Sequence, residues 1–308
     1  MADTIYHIPA LLAETLNLLK IKPNGTYIDA TFGGGGHSRA IMAELSQEGR
    51  LFSFDRDYEA AQNIIDDARF TFVLSNFRYI ENFMRFYKAG SADGILADLG
   101  VSFHHFDSPE RGFSFRTDAP LDMRMNRNAA RSAADILEAS DEQTLKNIFR
   151  SYADLRQPGN VAKAIVKARS LAPIDTTFRL AEAVRPALDP RQEKKELAQV
   201  FQALRIETND EMADLRIFLN AATRVLRPGG RLAVLTYHSI EDRMVKNFMK
   251  SGNIDGVEQK DFYGNVKSPW KIITRKPVEP SPEEIEANPR ARSAKLRVAE
   301  LKDSLFNF

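Results

Sequence analysis

The chain has 308 residues, 43 Lys and Arg against 42 Asp and Glu, a net charge of +1 and no cysteine. Lacking Cys, it cannot form disulfides, Cys-based zinc sites, Cys-ligated iron–sulfur clusters or any Cys nucleophile. The length suits one large domain or a domain carrying an insertion. No apolar run approaches the roughly 18 residues of a membrane span, and Met1-Ala2-Asp3 lacks a basic leader region, so a soluble, cytoplasmic protein with no membrane attachment is expected.

In chain order, a leading helix is expected from near Pro9 to about Leu19, with proline in its first turn. Strand-like runs then follow at Tyr27–Phe32, Leu51–Asp55, Phe70–Ser75 and Gly94–Leu99, with helical periodicity between them at His37–Leu45, Tyr58–Ala68 and Ile80–Lys88. This alternation predicts a parallel sheet covered by helices on both faces. From about Glu110 to Asp214 only helices are expected: Ala133–Ala139, Glu142–Tyr152, Val161–Ala168, Phe178–Leu188 and Leu197–Ile206. Ser140 and Gln143 read as a capping box for the second, and Pro158-Gly159, Pro173 and Pro190 as turns. A long helix, Glu211–Leu226, leads to the breaker Arg227-Pro228-Gly229-Gly230 and a strand at Arg231–Tyr237. A helix near Ile240–Met249 and strands at Trp270–Lys276 and Lys295–Leu301 complete the pattern, with Pro277–Pro289 an exposed connection. The expected architecture is α/β: residues 1–108 and 216–308 form one discontinuous domain, and 109–215 an inserted helical domain.

The most informative stretch is Tyr27-Ile28-Asp29-Ala30-Thr31-Phe32-Gly33-Gly34-Gly35-Gly36-His37-Ser38. An apolar strand passes through four glycines into a helix, a turn that lets a ligand approach backbone N–H groups at the helix start. Leu51–Asp55 closes on a carboxylate about 20 residues further on, where dinucleotide-type folds place an acid that accepts hydrogen bonds from ribose hydroxyls. Together these features predict a ribose-containing cofactor. The nicotinamide fingerprint is imperfect, because its third glycine falls on Ser38. The order acid-x-Thr-x-Gly from Asp29 fits S-adenosyl-L-methionine-dependent methyltransferases better, and a nicotinamide-dependent oxidoreductase stays as the alternative.

Gly94–Ser102 ends a buried strand on Asp98 and a glycine turn. Ligands of open α/β sheets bind beyond the carboxyl ends of the strands, so Asp98 is the expected catalytic group. A carboxylate accepting one N–H of a base amine would orient the lone pair toward an incoming methyl group. Pyrimidine C5 methylation, which needs a Cys nucleophile, is excluded, while amine or hydroxyl methylation remains. His238, after the Arg231–Tyr237 strand, either contacts substrate or caps the next helix.

Asp29–His37, Asp55, Asp98–Ser102 and Pro228-Gly229-Gly230 together resemble the bacterial 16S ribosomal RNA cytosine-N4 methyltransferase family. Five further stretches carry the resemblance: Glu110–Phe115, Leu121–Met125, Phe201–Ile206, His238–Arg243 and Asn288–Ser293. They occur in family order over nearly the whole chain. The resemblance implies a class I S-adenosylmethionine-dependent methyltransferase, Rossmann-like with a mostly parallel sheet and an inserted all-helical domain, methylating a decoding-centre cytidine of 16S rRNA in the small ribosomal subunit. It implies cofactor contacts at Gly35, Gly36, His37, Asp55, Phe77, Asp98 and His105. Arg111, Phe113, Arg124, His238, Arg290 and Arg292, within the same motifs, are the expected RNA contacts. The chain departs from the family at Phe103-His104-His105, commonly Ser-Pro-Gln, and at Tyr152-Ala153-Asp154-Leu155, commonly Tyr-Gly-Glu-Glu.

Net charge offers no global attraction to RNA, but the distribution does. Lys146–Arg205 carries 12 Lys and Arg against 6 Asp and Glu, and Lys260–Lys276 five against one. Such basic surfaces can contact phosphates. Phe113, Phe115 and Trp270 lie beside basic residues where an aromatic ring could stack on an unpaired base, and Phe113 is the favoured candidate. A non-catalytic RNA-binding or ribosome-assembly factor on the same fold is a further alternative, and helical faces on the insertion leave a homodimer open.

Overall fold

The computed structural model describes residues 9–100 and 109–303. The chain divides into two compact units, Met1–Gly100 with Ala213–Phe308, and Val101–Met212. Among the described residues, no helix is long and apolar enough to cross a membrane.

The first unit is built on a sheet of seven strands: β1 (Thr26–Asp29), β2 (Arg50–Asp55), β3 (Phe70–Leu74), β4 (Ala92–Asp98), β5 (Leu226–Thr236), β6 (Trp270–Ile272) and β7 (Lys295–Leu301). Their order is β3-β2-β1-β4-β5-β7-β6. β3, β2, β1, β4 and β5 are mutually parallel, and β7 runs antiparallel between β5 and β6. This is the mostly parallel Rossmann-like sheet of class I methyltransferases. Strand order reverses at β1, which has β2 on one side and β4 on the other, and at such a switch point a crevice opens beyond the carboxyl ends. Asp29 pairs with Ser53 of β2 and Leu96 of β4. Asp55 and Asp98 lie two residues beyond those partners, so the two-residue period puts both acids on the face of Asp29.

Helix α1 (Leu12–Leu19) packs on this sheet, α2 (Gly36–Glu44) starts at the glycine run and α3 (Ile80–Phe86) precedes β4. Leu11, Leu19, Tyr27, Ile41, Leu51, Leu96 and Leu235 belong to one buried apolar cluster. The second unit contains α4 (Ala133–Ala139), α5 (Glu142–Tyr152), α6 (Pro158–Arg169), α7 (Thr177–Val184) and α8 (Glu193–Thr208), with its own core around Ile136, Leu145, Phe149, Val161, Ile165, Leu180 and Val200. Helix α9 (Glu211–Val225) leads into β5, and α10 (Ser239–Ser251) follows it.

Several local expectations change. The residues expected as a helix at Tyr58–Ala68 form only a 3-10 turn, Tyr58–Asn63. Asp67 there grips Arg69 through two hydrogen bonds of 2.9 and 2.7 Å, and Arg69 also donates to the Leu45 carbonyl, holding the chain extended into β3. The capping box lies one helix earlier, at Ser132 and Asp135 on α4, while Asp141 caps α5 by accepting from the Thr144 N–H. Pro158 opens α6 instead of breaking the chain, because a first-turn proline gives up no intrahelical bond. Arg227–Gly230 stays within β5 as an irregularity opposite Ala92 and Gly94. β6 stops at Ile272, and a short helix, Pro282–Ala287, forms in the expected connection.

Candidate active site

The glycine turn is held from beneath. Asp29 is 1% exposed; its Oδ1 accepts from the Thr31 N–H at 3.1 Å and its Oδ2 from the Ser38 hydroxyl at 2.6 Å. Ser38 also bonds Ser53 at 2.8 Å, so one acid ties β1, β2 and the first turn of α2 together. Burial pushes the Asp29 carboxyl up to about 6, against the opposing pull of these donors and the nearby His37.

Gly35 is the N-cap of α2, at φ +75°. A Cβ there would fall 2.6 Å from Arg39 Nη1 and 2.9 Å from Phe32 Cε2, and at Gly36 2.7 Å from Pro9 Cγ. Both glycines are therefore required by the turn's own packing. At Gly33, with φ +50°, a Cβ would meet nothing within 4 Å, so the chain passes an open space.

Asp55 and Asp98 converge on this turn from either side. Asp55 Oδ2 accepts from the Gly33 N–H and Oδ1 from the Asp57 N–H, each at 2.8 Å. Burial raises its carboxyl above the usual carboxylate range, opposed by those two N–H groups. The Asp98 N–H donates to Thr31 Oγ1 at 2.7 Å, and Asp98 Oδ2 lies 3.7 Å from His37 Nδ1. His37 is 6% exposed, with Nε2 3.2 Å from the Ala10 carbonyl. Asp98 Oδ1 is buried with no hydrogen-bond partner among the described residues. An unclaimed buried acceptor beside an open glycine turn suits a ligand bearing hydroxyl or ammonium donors, as S-adenosylmethionine does.

Phe77 begins a short turn after β3 and packs edge-on against Phe218, ring centres 5.1 Å apart. Asp214, 2% exposed, fixes this corner by accepting from Asn76 Nδ2, from Arg78 Nη1 at 2.8 Å and from Arg56 Nη1 at 3.4 Å. It therefore holds the residues that follow Asp55 and flank Phe77. Sequence reasoning passed over Asp214 because it sits far along the chain in an ordinary helical pattern. It also passed over Tyr237, whose buried phenol lies within the field of the Asp98 carboxylate. Burial first, and then the Asp98 charge, hold the phenol well above its usual range. The residue type and its place at the end of β5 were the available signal.

The expected RNA contacts divide. His238 caps α10, with Nδ1 accepting from the Glu241 N–H at 3.4 Å and Nε2 3.0 Å from Glu241 Oε1, so the capping alternative is realised. Arg111 corrects the expectation of an RNA-facing side chain: it is 3% exposed and Nη2 donates to the Arg124 and Met125 carbonyls, each at 3.0 Å. Phe113 is likewise corrected, since it is 5% exposed in the core of the helical unit, with the Arg111 guanidinium 5.9 Å from its ring centre. Arg124 is occupied by a two-pronged bond to Asp122 at 2.6 and 2.9 Å. Phe115 packs on Phe201 and Trp270 on Phe248, so neither ring is offered to a base. Arg290 and Arg292 are exposed on the 3-10 turn Pro289–Ser293. His104 and His105 lie outside the described residues.

Curated relatives are similar over nearly their whole length. Proteins named "Ribosomal RNA small subunit methyltransferase H" from Phocaeicola vulgatus and Bacteroides thetaiotaomicron are each 54% identical, matching 97% of this chain and 98% and 99% of their own lengths. The protein of that name from Porphyromonas gingivalis is 54% identical over 97% of both chains. The profile described as "MraW methylase family" matches residues 4–302, and this chain belongs to that family.

Proposed function

We infer that this protein transfers a methyl group from S-adenosyl-L-methionine to the exocyclic N4 of a cytidine in the decoding centre of 16S rRNA, within the small ribosomal subunit. The observation that carries this reading is the convergence of Asp55 and Asp98 on one glycine turn, with Asp98 Oδ1 left unclaimed. The names of the relatives support the substrate class. Residues at the turn (Gly35, Gly36 and His37), with Asp55, Phe77 and Asp98, would hold the cofactor, which supplies an electrophilic methyl group on a sulfonium.

Asp55 presents carboxylate lone pairs to ribose hydroxyls, while its backbone partners fix its direction. Asp98 does the positioning at the reacting nitrogen. A cytosine amine is a poor nucleophile because its lone pair is delocalised into the ring. When Asp98 accepts one N–H, the nitrogen pyramidalises and its lone pair turns toward the methyl group. The amine becomes more acidic as the new C–N bond forms, and Asp98 is placed to receive its proton. The base must be unpaired or flipped out to reach this crevice. Exposed Arg290 and Arg292 are the remaining arginines of the motif set suited to phosphate contact, while Arg111, Phe113, Arg124 and His238 are committed to internal structure.

Labelled cofactor incubated with small subunits lacking the modification should mark one cytidine at its exocyclic nitrogen. Label on a ring carbon, or none on RNA, overturns the assignment.

A further inference from the structure

Between α10 and β6 the chain forms a small hairpin, closed by an antiparallel bridge between Lys260 and Val266. Its tip carries Phe262, 96% exposed, and Tyr263, 85% exposed. The rings meet edge to face, centres 5.6 Å apart at 87°. Two adjacent aromatic rings held almost wholly in water forgo the burial that ordinarily stabilises such side chains.

The tip is nevertheless built with care. Asp261 Oδ1 accepts from the Tyr263 and Asn265 N–H groups at 2.9 and 2.8 Å, and Oδ2 from Asn265 Nδ2 at 3.1 Å. The Asp261 N–H donates to the Asn265 carbonyl at 2.9 Å, and the Lys267 N–H to the Gln259 carbonyl at 2.7 Å. Gly264 takes φ +85°, which a two-strand turn of this kind needs. The leading strand is tethered to α10 by Lys250 and Glu258 at 2.7 Å, and Asn253 bonds both the carbonyl and the N–H of Val257, at 2.7 and 3.1 Å.

Charge supplies the second observation. Lys260, Lys267, Arg275 and Lys276 are exposed, Lys271 is exposed and pairs with Glu300 at 3.4 Å, and the one acid of this stretch, Asp261, is spent inside the turn. Trp270 pairs with Leu301, whose neighbour Glu300 pairs with Arg231, midway along β5. Asp98 lies level with Leu235, near the carboxyl end of β5. Four residues of strand, about 13 Å, separate those levels, so the hairpin stands at the edge of the sheet opposite the crevice.

We propose that this hairpin is a second RNA contact, in which Phe262 or Tyr263 stacks on an unpaired base of the substrate while the surrounding lysines and arginines contact its phosphates. Rings set at right angles offer one face to a base and flank it with the other ring. Aromatic stacking is tolerant of base identity, so this contact anchors a large RNA away from the reacting cytidine without selecting that nucleotide. The inference rests on the ribosomal-RNA reading above for the identity of the RNA, and on the hairpin alone for its single-stranded character.

The test is the full-length Phe262→Ala/Tyr263→Ala protein in two measurements. Methyl transfer to unmodified small subunits should give KM at least tenfold higher with kcat and cofactor affinity unchanged, and Phe262→Trp should restore KM. Binding of single-stranded oligouridylate, without cofactor, should weaken by a similar factor. Normal transfer with unchanged KM overturns the proposal, as does ultraviolet cross-linking of the hairpin to a ribosomal protein instead of RNA. If the wild-type protein transfers no methyl group to subunits, the function reading fails by itself. The hairpin is then judged by oligouridylate binding, where equal affinity of variant and wild type rejects it.

Discussion

At one edge of the sheet, where β1, β2 and β4 end, acidic side chains turn inward: backbone N–H groups and Ser38 hold Asp29 and Asp55, and the Asp98 N–H bonds the Thr31 hydroxyl. At the other edge, beyond the start of β6, two rings and several cations turn outward from a turn stiffened by a single aspartate. The first edge withholds its carboxylates from water and leaves one oxygen, Asp98 Oδ1, for a ligand. The second offers large apolar faces and exposed positive charges to whatever arrives. A reacting nitrogen must be oriented to within a fraction of an ångström, whereas an anchor need only hold on. The rigidity of each edge follows from that difference.

Substitutions can separate the two edges. Asp98→Asn should lower kcat by about 100- to 1,000-fold, the range seen when one preorganised polar group is removed from a reacting centre, with a much smaller change in subunit KM. Equal turnover of variant and wild type would remove Asp98 from the chemistry.

A pH effect of about 3 kcal/mol should follow from Asp29. Its folded-state carboxyl, at about 6, lies above the usual carboxylate value of 3.8. The folded protein therefore holds this proton more tightly than the unfolded chain, and Asp29 contributes stability below about pH 4 that is lost as pH rises through about 6. Asp29→Asn carries no such proton. Chemical denaturation across this window should find variant stability, measured relative to wild type, improving by up to about 3 kcal/mol on a constant offset from altered bonding to Ser38 and Thr31. A flat difference would mean that the turn is not built on a reluctant charge.

Asp55→Ala should weaken cofactor binding roughly ten- to hundredfold, since hydrogen bonds to a charged group contribute about 1.5–3 kcal/mol. Calorimetry with the cofactor measures this directly, and unchanged affinity would reject the ribose role. The smallest effect belongs to the opposite edge. Lys260→Gln with Lys267→Gln should reduce the salt dependence of RNA binding by about 0.7 in log–log slope per lost phosphate contact, while cofactor affinity stays constant.

Much of the crevice was legible because its logic is local. A strand, a glycine run and a helix are contiguous at Tyr27–Ser38, and the acids that join them end apolar strands of their own. The helical unit was legible as helices, and even its departures have local causes: a proline can open a helix as well as stop one, and Ser132 was a better partner for Asp135 than Ser140 was for Gln143. Burial of single side chains was not legible. Arg111 and Phe113 sit in a glycine-containing stretch that reads as an exposed loop, yet tertiary packing closes over both, while Phe262 and Tyr263, equally apolar, emerge on the surface. Periodicity reports the face of a helix or strand and is silent for irregular segments. Asp214 and Tyr237 were hidden for a related reason, since their partners lie far away in sequence.

The place of β7 bears on when the protein becomes competent during its own synthesis. Lys295–Leu301 is threaded between β5 and β6 and bonds to both, so a nascent chain that has already made the glycine turn, both acids and the entire helical unit still exposes the open side of β5. Contacts that span so much sequence form slowly, and until this strand is delivered the unfinished edge invites pairing with other chains. Translation must therefore run past β7 before the sheet that carries the crevice is complete.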